Sequence, residues 1–179
     1  MTRYRRAQGG TTYFFTLVSF ERRPVLCDEG VRAELRDALL RVQAARPFGI
    51  DAWVLMPDHL HCIWTMPEGD HDYSTRWAQI KRSVSRFADC TLQFERPVSA
   101  SRHKHRDGTL WQRRFYEHQI RDERDFERHA DYIHFNPVRH GYASSAAEWP
   151  FSTFRRYAKA GTYPLDWGGT VEAESMWLE

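Results

Sequence analysis

Two histidines, His59 and His61, stand two residues apart within residues 54–64, a run with the composition of a β-strand. Side chains at i and i+2 of a strand share one face, so both imidazoles would point the same way while Leu60 points into the core. Two imidazoles on a rigid strand can bind one divalent metal ion and leave coordination positions open for a substrate oxygen. Strand histidines that only form hydrogen bonds are also common, so the pair alone leaves both roles open.

A second group of candidate residues lies on a helix predicted for residues 123–136. The apolar residues at helical spacing form its buried stripe: Phe126, Ala130 and Ile133. Tyr132 and Asn136 are one helical turn apart, so they lie on one face beside that stripe. This arrangement could hold the Tyr132 phenol beside a metal ion while the Asn136 side-chain carbonyl serves as a ligand. A half-buried tyrosine that only packs is the alternative.

Two other patterns compete with these assignments. His103 and His105 repeat the His-x-His spacing, but they lie in a polar stretch without strand character, which is typical of a basic loop. Tyr116 shares a predicted strand face with His118 and is the rival nucleophile. It lacks a partner one helical turn further on, which Tyr132 has, and the residues alone leave both tyrosines open as candidates.

The pattern of apolar and turn residues predicts the elements that must position these groups. Four strands are predicted, at residues 11–19, 50–56, 60–66 and 111–121. Three helices are predicted: residues 29–45 after the N-cap Asp28, a second helix after the N-cap Ser74, and residues 123–136 ended by Pro137. This order is typical of an α+β sandwich, an antiparallel sheet with helices packed on one face.

The charge balance is nearly even, with 26 lysines and arginines against 24 aspartates and glutamates, but the cations are clustered. Most are arginines, which bind phosphate through a planar fork. Three groups that could contact the phosphates of a nucleic acid are predicted from these clusters: an N-terminal arm with Arg3, Arg5 and Arg6, one face of the second helix with Arg76, Lys81, Arg82 and Arg86, and Arg128 one turn before Tyr132. A solvated surface without a partner is the alternative for each group.

Cysteine and hydropathy patterns indicate the compartment. The three cysteines, Cys27, Cys62 and Cys90, have no Cys-x-x-Cys spacing, so free thiols in a reducing cytoplasm are expected. No apolar run approaches the length that crosses a membrane. We therefore expect a soluble, cytoplasmic protein that does not bind a membrane.

Three motifs together resemble those of the REP-associated tyrosine transposases, single-tyrosine HUH nucleases related to the IS200/IS605 transposases. The motifs are His59-Leu60-His61, then Tyr132-x-x-x-Asn136 followed by Pro137-Val138-Arg139-His140-Gly141, and finally Trp149-Pro150-Phe151-Ser152-Thr153-Phe154. The resemblance extends from the arginine-rich arm to Trp167, and it is specific because the motifs occur together at this spacing.

The resemblance implies a ferredoxin-like HUH fold in one domain, residues 1–179, with a basic arm at 1–10, a catalytic core at 11–137 and a C-terminal extension and tail at 138–179. It implies that Tyr132 is the nucleophile and that His59, His61 and Asn136 hold a divalent ion, Mg²⁺ or Mn²⁺. The expected reaction is cleavage and transfer of single-stranded DNA beside REP (repetitive extragenic palindrome) hairpins, through a 5′-phosphotyrosine intermediate. A monomer associated with the nucleoid is expected.

Two other functions are compatible with such a fold. A DNA-hairpin-binding protein could keep it and cleave poorly, although the complete set of ligands and nucleophile argues against this. An RNA-binding ferredoxin-like domain would need exposed aromatic residues on its sheet face, where this sequence places histidines.

Overall fold

The computed structural model describes residues 10–92 and 110–168. Its elements are β1 (Thr12–Val18), α1 (Glu29–Ala45), β2 (Gly49–Leu55), β3 (His59–Thr65), α2 (Tyr73–Thr91), β4 (Tyr116–Gln119), α3 (Glu123–Arg139) and α4 (Phe154–Lys159), with short 3-10 turns at Phe20–Arg22 and Ala146–Glu148. Two groups named above lie outside the described residues: the arm with Arg3, Arg5 and Arg6, and the pair His103 and His105.

The four strands form one antiparallel sheet in the order β2-β3-β1-β4. With α1 and α2 as the connections, this is the β-α-β-β-α-β arrangement of ferredoxin-like folds, so the predicted antiparallel α+β class is confirmed. β1 pairs with β3 along its whole length, from Thr12↔Thr65 to Val18↔His59. β3 lies between β2 and β1, so the histidine pair has a neighbouring strand on each side. Every residue of β3 is buried.

α1 and α2 pack together on one face of the sheet. The rings of Trp64 on β3 and Trp77 on α2 stack there with centroids 4.0 Å apart. Leu60 is fully buried in the same cluster. It therefore points away from the histidines on either side of it, as strand alternation predicts.

α3 lies on the opposite face, together with the C-terminal segment, so the predicted packing of helices on one face holds for α1 and α2 only. Its predicted buried stripe of Phe126, Ala130 and Ile133 is confirmed, because all three side chains are buried against Phe14 and Val54 of the sheet. The apolar stripe thus fixes which side of α3 faces the strands, and with it the direction of the residues beside the stripe.

The N-cap residue predicted from the sequence is confirmed for α1 and is wrong for α2. Asp28 caps α1 by accepting hydrogen bonds from the backbone N–H groups of Gly30 and Val31. α2 begins at Tyr73, because the carboxylate of Asp72, rather than the predicted Ser74, accepts from a backbone N–H of the first turn. None of the helices in the described part of the chain is long and apolar enough to cross a membrane.

The prediction that Pro137 ends α3 is wrong, since the helix continues to Arg139. A proline removes one N–H, which costs a single backbone hydrogen bond when it lies in the last turn. The end is formed instead by the His140 N–H, which donates to the Asn136 carbonyl, and by Gly141 at φ +71°. The longer helix brings Arg139 and His140 close to the predicted site.

β4 is also shorter than the strand predicted at residues 111–121. Trp111 forms only an isolated bridge with Ser19. The carbonyls of Gln112 and Arg113 accept hydrogen bonds from the Lys81 ammonium instead of pairing with β1. The chain therefore leaves the sheet between this bridge and the start of β4.

Arg76 is buried, with 2% of its surface exposed, and not on the outer face of α2 where it was predicted. Its guanidinium donates to both oxygens of Asp70, at 2.6 and 3.2 Å. It also donates to three backbone carbonyls, those of Arg46, Pro47 and Asp72. The Arg76 side chain is surrounded by backbone carbonyls that come together only in the tertiary fold. Arg76 therefore does not belong to the DNA-contacting set.

The C-terminal segment runs along the outer edge of β2. The Leu55 N–H donates to the Phe151 carbonyl at 2.8 Å, and the Thr153 N–H donates to the Trp53 carbonyl at 2.9 Å. The Trp149 indole N–H donates to the Leu55 carbonyl at 2.9 Å. Backbone groups that an edge strand would present to another chain are thus occupied within this chain.

Candidate active site

The four residues predicted for catalysis and metal binding lie together on the α3 face of the sheet. His59 and His61 project from β3 with ring centroids 4.9 Å apart. Asn136 Oδ1 lies 3.1 Å from His59 Nε2, although 77 positions separate the two residues. The Tyr132 ring lies 5.0 Å from the His61 ring. They meet because α3 packs across the strand that carries both histidines.

A carboxylate behind His59 holds its ring. His59 Nδ1 lies 2.6 Å from Asp58 Oδ1, and Arg22 donates to the other oxygen at 3.0 Å. Burial would raise the pKa of Asp58, but the hydrogen bonds and charges of His59 and Arg22 outweigh burial and lower it. The ionised carboxylate fixes the proton on His59 Nδ1 and turns Nε2 toward Asn136.

The neighbouring strand positions His61. Thr16 on β1 is its cross-strand partner, and Thr16 Oγ1 lies 2.8 Å from His61 Nδ1. Burial first, and then the repulsion that His59 and His140 exert when they are protonated, hold the pKa of His61 well below its ordinary value. The ring is therefore neutral at physiological pH, which is the form that binds a metal ion.

Asn136 completes a donor set that fits a divalent cation. The residue is 1% exposed, and its Nδ2 atom is buried with no hydrogen-bond partner among the described residues. With the ring proton on Nδ1, His59 Nε2 and Asn136 Oδ1 are both acceptors, yet they face each other at 3.1 Å. A cation bound by both atoms would satisfy them, with His61 as the third donor.

Tyr132 is half-buried beside this donor set. Its ring packs edge-to-face against His61 and against Phe14, with centroid distances of 5.0 and 6.1 Å. The Arg139 guanidinium lies 5.9 Å from the centroid of the Tyr132 ring. Arg139 is the last residue of α3, two positions after Pro137. A guanidinium at this distance makes a cation–π contact with the ring, which helps to hold the tyrosine in place.

A cleft of about 430 Å³ opens beside Tyr132. Residues of β1, β4 and α3 and of the β4–α3 loop line it: Phe14, Thr16, Tyr116, His118, Arg121, Asp125, Arg128, His129 and Tyr132. The predicted cation Arg128 and the rival nucleophile Tyr116 therefore share one cleft with Tyr132. Tyr116 is 58% exposed and lies on an edge strand.

Three residues of this cleft form a His/Asp cluster that could hold a metal ion. The ligand atoms of His118, Asp125 and His129 all lie within 4.8 Å of one another. His118 Nε2 lies 2.9 Å from Asp125 Oδ2, and the two imidazole rings stack with centroids 4.7 Å apart. The cleft thus contains a second group of potential metal ligands besides the predicted one.

The remaining predicted DNA contacts lie away from this cleft. Lys81, Arg82 and Arg86 belong to α2, which packs on the opposite face of the sheet from α3. Of the predicted cations within the described residues, Arg128 alone lines the cleft with Tyr132.

Three residues that orient the site were not predicted from the sequence: Asp58, Thr16 and Arg139. Asp58 has a local signal, because an acidic residue directly before a strand histidine can bond to its Nδ1. Thr16 lies 45 positions from its partner, so only the pairing of β1 with β3 identifies it. Arg139 lies beyond the predicted end of α3.

Known proteins match this chain in sequence and in fold. A family model described as Transposase IS200 like matches residues 8–136. The REP-associated tyrosine transposase of Escherichia coli (strain K12) is 43% identical over 173 residues, which cover 96% of this chain and 93% of the relative. A Haemophilus influenzae relative is 40% identical over 176 residues, which cover 96% of each protein. A solved structure of the REP-associated tyrosine transposase bound to a REP hairpin matches with a TM-score of 0.72 and 42% identity, over 96% of this chain and 93% of the other.

Proposed function

The chain belongs to the IS200-like transposase family, among the REP-associated tyrosine transposases, and we propose that it is a metal-dependent nuclease and strand transferase acting on single-stranded DNA beside REP hairpins. The observation that carries this proposal is the placement of Tyr132 against the donor set of His59, His61 and Asn136. A nucleophile beside a cation site suits phosphodiester cleavage, because the attacked phosphorus is surrounded by anionic oxygens.

His59 Nε2, the free nitrogen of His61 and the Asn136 side-chain carbonyl would hold the ion, which we propose to be Mn²⁺ or Mg²⁺. Two of these donors are imidazole nitrogens, so Mn²⁺ is expected to bind more tightly than Mg²⁺, which prefers oxygen ligands. Such an ion supplies Lewis-acid stabilisation of the negative charge on phosphate oxygens.

Tyr132 carries the covalent step. Its phenol oxygen attacks phosphorus and forms a 5′-phosphotyrosine ester, while the bond to the 3′ oxygen breaks and that oxygen takes up a proton. The ester conserves the phosphodiester bond, so the 3′-OH of another DNA end can attack it, release the phenol and join the two strands. Cleavage and transfer are therefore the same reaction in opposite directions.

Two arginines near Tyr132 are proposed to assist this step. The Arg139 guanidinium lies 5.9 Å from the Tyr132 ring centroid, and Arg128 lines the adjoining cleft. Both guanidinium groups stay charged at any physiological pH. Their field attracts a DNA phosphate into the cleft.

We propose that the protein acts on DNA as a monomer. The segment from Phe151 to Thr153 bonds to the edge of β2, which leaves less of that edge open for pairing with a second copy. The arginines of the N-terminal arm, Arg3, Arg5 and Arg6, remain proposed contacts to the hairpin phosphates.

A hairpin-binding protein that cleaves poorly is the second candidate function. The cleft and its arginines would serve that role equally well. The buried Asn136 amide facing His59 weighs against it, because binding alone does not require that pairing. RNA binding through the sheet is disfavoured, since the aromatic residues of the central strands are buried: Tyr13, Phe14, Phe15 and Trp64.

Covalent capture of DNA tests the proposal. Labelled single-stranded DNA with a REP-type hairpin is incubated with the full chain and Mn²⁺ or Mg²⁺, and the adduct is measured on a denaturing gel. The wild type is expected to form the adduct, and Tyr132→Phe, which lacks only the hydroxyl, is expected to form none. Tyr116→Phe is the matched control in the same cleft and should keep the adduct.

Two results would contradict this assignment. A wild-type protein that binds the hairpin but forms no adduct with either ion would favour the binding-protein alternative. An adduct lost in Tyr116→Phe and kept in Tyr132→Phe would move the nucleophile from α3 to β4.

A further inference from the structure

A second group of potential metal ligands lies in the cleft beside Tyr132. His118 comes from β4, while Asp125 and His129 lie one turn apart on α3. Their ligand atoms lie within 4.8 Å of one another. None of the three has a part in the reaction proposed above, so their arrangement requires its own explanation.

Hydrogen bonds join these residues. Asp125 Oδ2 accepts from His118 Nε2 at 2.9 Å, and from the backbone N–H and the Nε–H of Arg121 at 3.1 and 3.2 Å. His129 Nδ1 lies 2.8 Å from the Asp125 carbonyl and 3.3 Å from its carboxylate. Both imidazoles therefore turn one nitrogen toward the same residue.

The carboxylate of Asp125 supplies the negative charge that a cation requires, and hydrogen bonds from His118 and Arg121 hold it in place. The ring proton of a neutral imidazole can move to the nitrogen that faces away, which frees the other nitrogen for an ion.

The guanidinium of Arg121 opposes a cation at this place. It bonds to Asp125 at 3.2 Å, but 74% of the Arg121 side chain is exposed. A hydrogen bond to such an exposed guanidinium is weakened by solvent, so the guanidinium can leave the carboxylate at small cost. The carboxylate oxygen that it leaves becomes available to an ion.

We propose that His118, Asp125 and His129 bind a second divalent ion, of the zinc class. Two imidazole nitrogens and one carboxylate oxygen form a mixed donor set that binds Zn²⁺ in many proteins. The affinity of such a set for divalent ions rises along the first transition row, from Mn²⁺ toward Cu²⁺ and Zn²⁺. Mg²⁺ requires mostly oxygen ligands in octahedral geometry, so it is not expected to compete.

The place of this ion would matter for the reaction, a consequence that rests on the proposed function. Three protein ligands leave coordination positions open, and the residues around them line the same cleft as Tyr132. A phosphate of the DNA strand is the class of ligand that would fill these positions. The second ion would then hold the strand beside the phenol, while the first donor set serves the bond that is cleaved.

Binding of Co²⁺, a spectroscopic substitute for Zn²⁺, tests the site without DNA. The bound ions per chain are measured by equilibrium dialysis, and nitrogen ligation is followed by visible absorption. The variant His59→Ala/His61→Ala removes the first donor set and is expected to keep one bound Co²⁺. Adding His118→Ala should remove that ion. Adding His71→Ala instead, at an exposed histidine outside both groups, should leave it bound.

Two outcomes would overturn the second site. One is a His59→Ala/His61→Ala variant that binds no Co²⁺, and the other is an ion that stays bound after His118→Ala is added. If the triple variant does not fold, by circular dichroism, the single variant His118→Ala decides the question through the loss of one bound ion relative to the wild type. Because the assay needs neither DNA nor adduct formation, its result is independent of the test of Tyr132.

Discussion

Two histidine groups adjoin Tyr132, and the fold holds them in different ways. His59 and His61 lie on the central strand β3, and each is 4% exposed. A hydrogen-bond partner behind each ring, Asp58 or Thr16, sets its orientation. The second group joins the short edge strand β4 to the first turns of α3, and both of its histidines are partly exposed.

This difference shows two ways of building a donor set from the same residue types. On β3 the two-residue period of one strand aligns the rings, and neighbouring residues select the nitrogen that faces the site. In the second group the alignment depends on where an edge strand and a helix meet. We therefore expect the first group to be the more rigid and to matter more for cleavage.

The largest effect that separates the two groups should be on adduct formation. His59→Ala removes one ligand of the first donor set, and we expect adduct formation to fall roughly 1,000-fold while hairpin binding is kept. His118→Ala leaves Tyr132 and that donor set in place, so its expected loss is less than about tenfold. Adduct yield and electrophoretic mobility shifts measure the two quantities. Equal losses in both variants would remove the distinction between the groups.

The next effect concerns the carboxylate behind His59. Asp58→Asn keeps the shape of the side chain but no longer fixes the ring proton on Nδ1, so Mn²⁺ affinity is expected to fall about 10- to 100-fold. Titration of the protein with Mn²⁺ measures the dissociation constant. Asp37→Asn, at a carboxylate exposed on α1, is the control and should leave it unchanged. An unchanged constant in Asp58→Asn would mean that Asp58 does not orient the ring.

A smaller effect is expected at the second group, where the contribution of Asp125 to the free energy of unfolding should depend on pH. Asp125 has a lowered pKa in the folded protein, so its charge stabilises the fold above its ordinary pKa of about 3.9, and this stability is lost as pH falls through the lower folded value. Asp125→Asn is expected to cost about 1–2 kcal/mol at pH 7, because charged hydrogen bonds become neutral ones near the N-terminus of α3.

Urea unfolding of both proteins at several pH values measures this free energy. The difference in this free energy between the wild type and Asp125→Asn should shrink as pH falls below about 4. A difference that does not shrink there would contradict the lowered pKa.

The smallest effect on Mn²⁺ binding is expected from Arg22, which contacts the first group only through Asp58. Arg22 donates to Asp58 at 3.0 Å, but its side chain is 64% exposed. Such a pair contributes about 0.2–1 kcal/mol, so Arg22→Ala should weaken Mn²⁺ binding by less than about fivefold, and added salt should reduce the difference. Titration with Mn²⁺ at low and high salt measures both. A loss as large as that of Asp58→Asn would make Arg22 part of the mechanism that orients His59.

Local periodicity explains which parts of the site were predictable. The shared face of His59 and His61, and that of Tyr132 and Asn136, follow from the repeat of a strand and of a helix, which depends only on backbone geometry. The buried stripe of α3, formed by Phe126, Ala130 and Ile133, was predictable for the same reason. Contacts between distant parts of the chain leave no such local signal.

The sequence by itself determined the kind of fold, the strand with its two imidazoles, and the helix with its tyrosine and amide, because these rest on residue type and spacing. Tertiary structure alone decided that Arg76 is buried, that α3 passes Pro137 and brings Arg139 to the phenol, and that His118 meets Asp125 and His129. Each of these depends on how elements far apart in the chain pack against one another. Packing, rather than any local repeat, sets those distances.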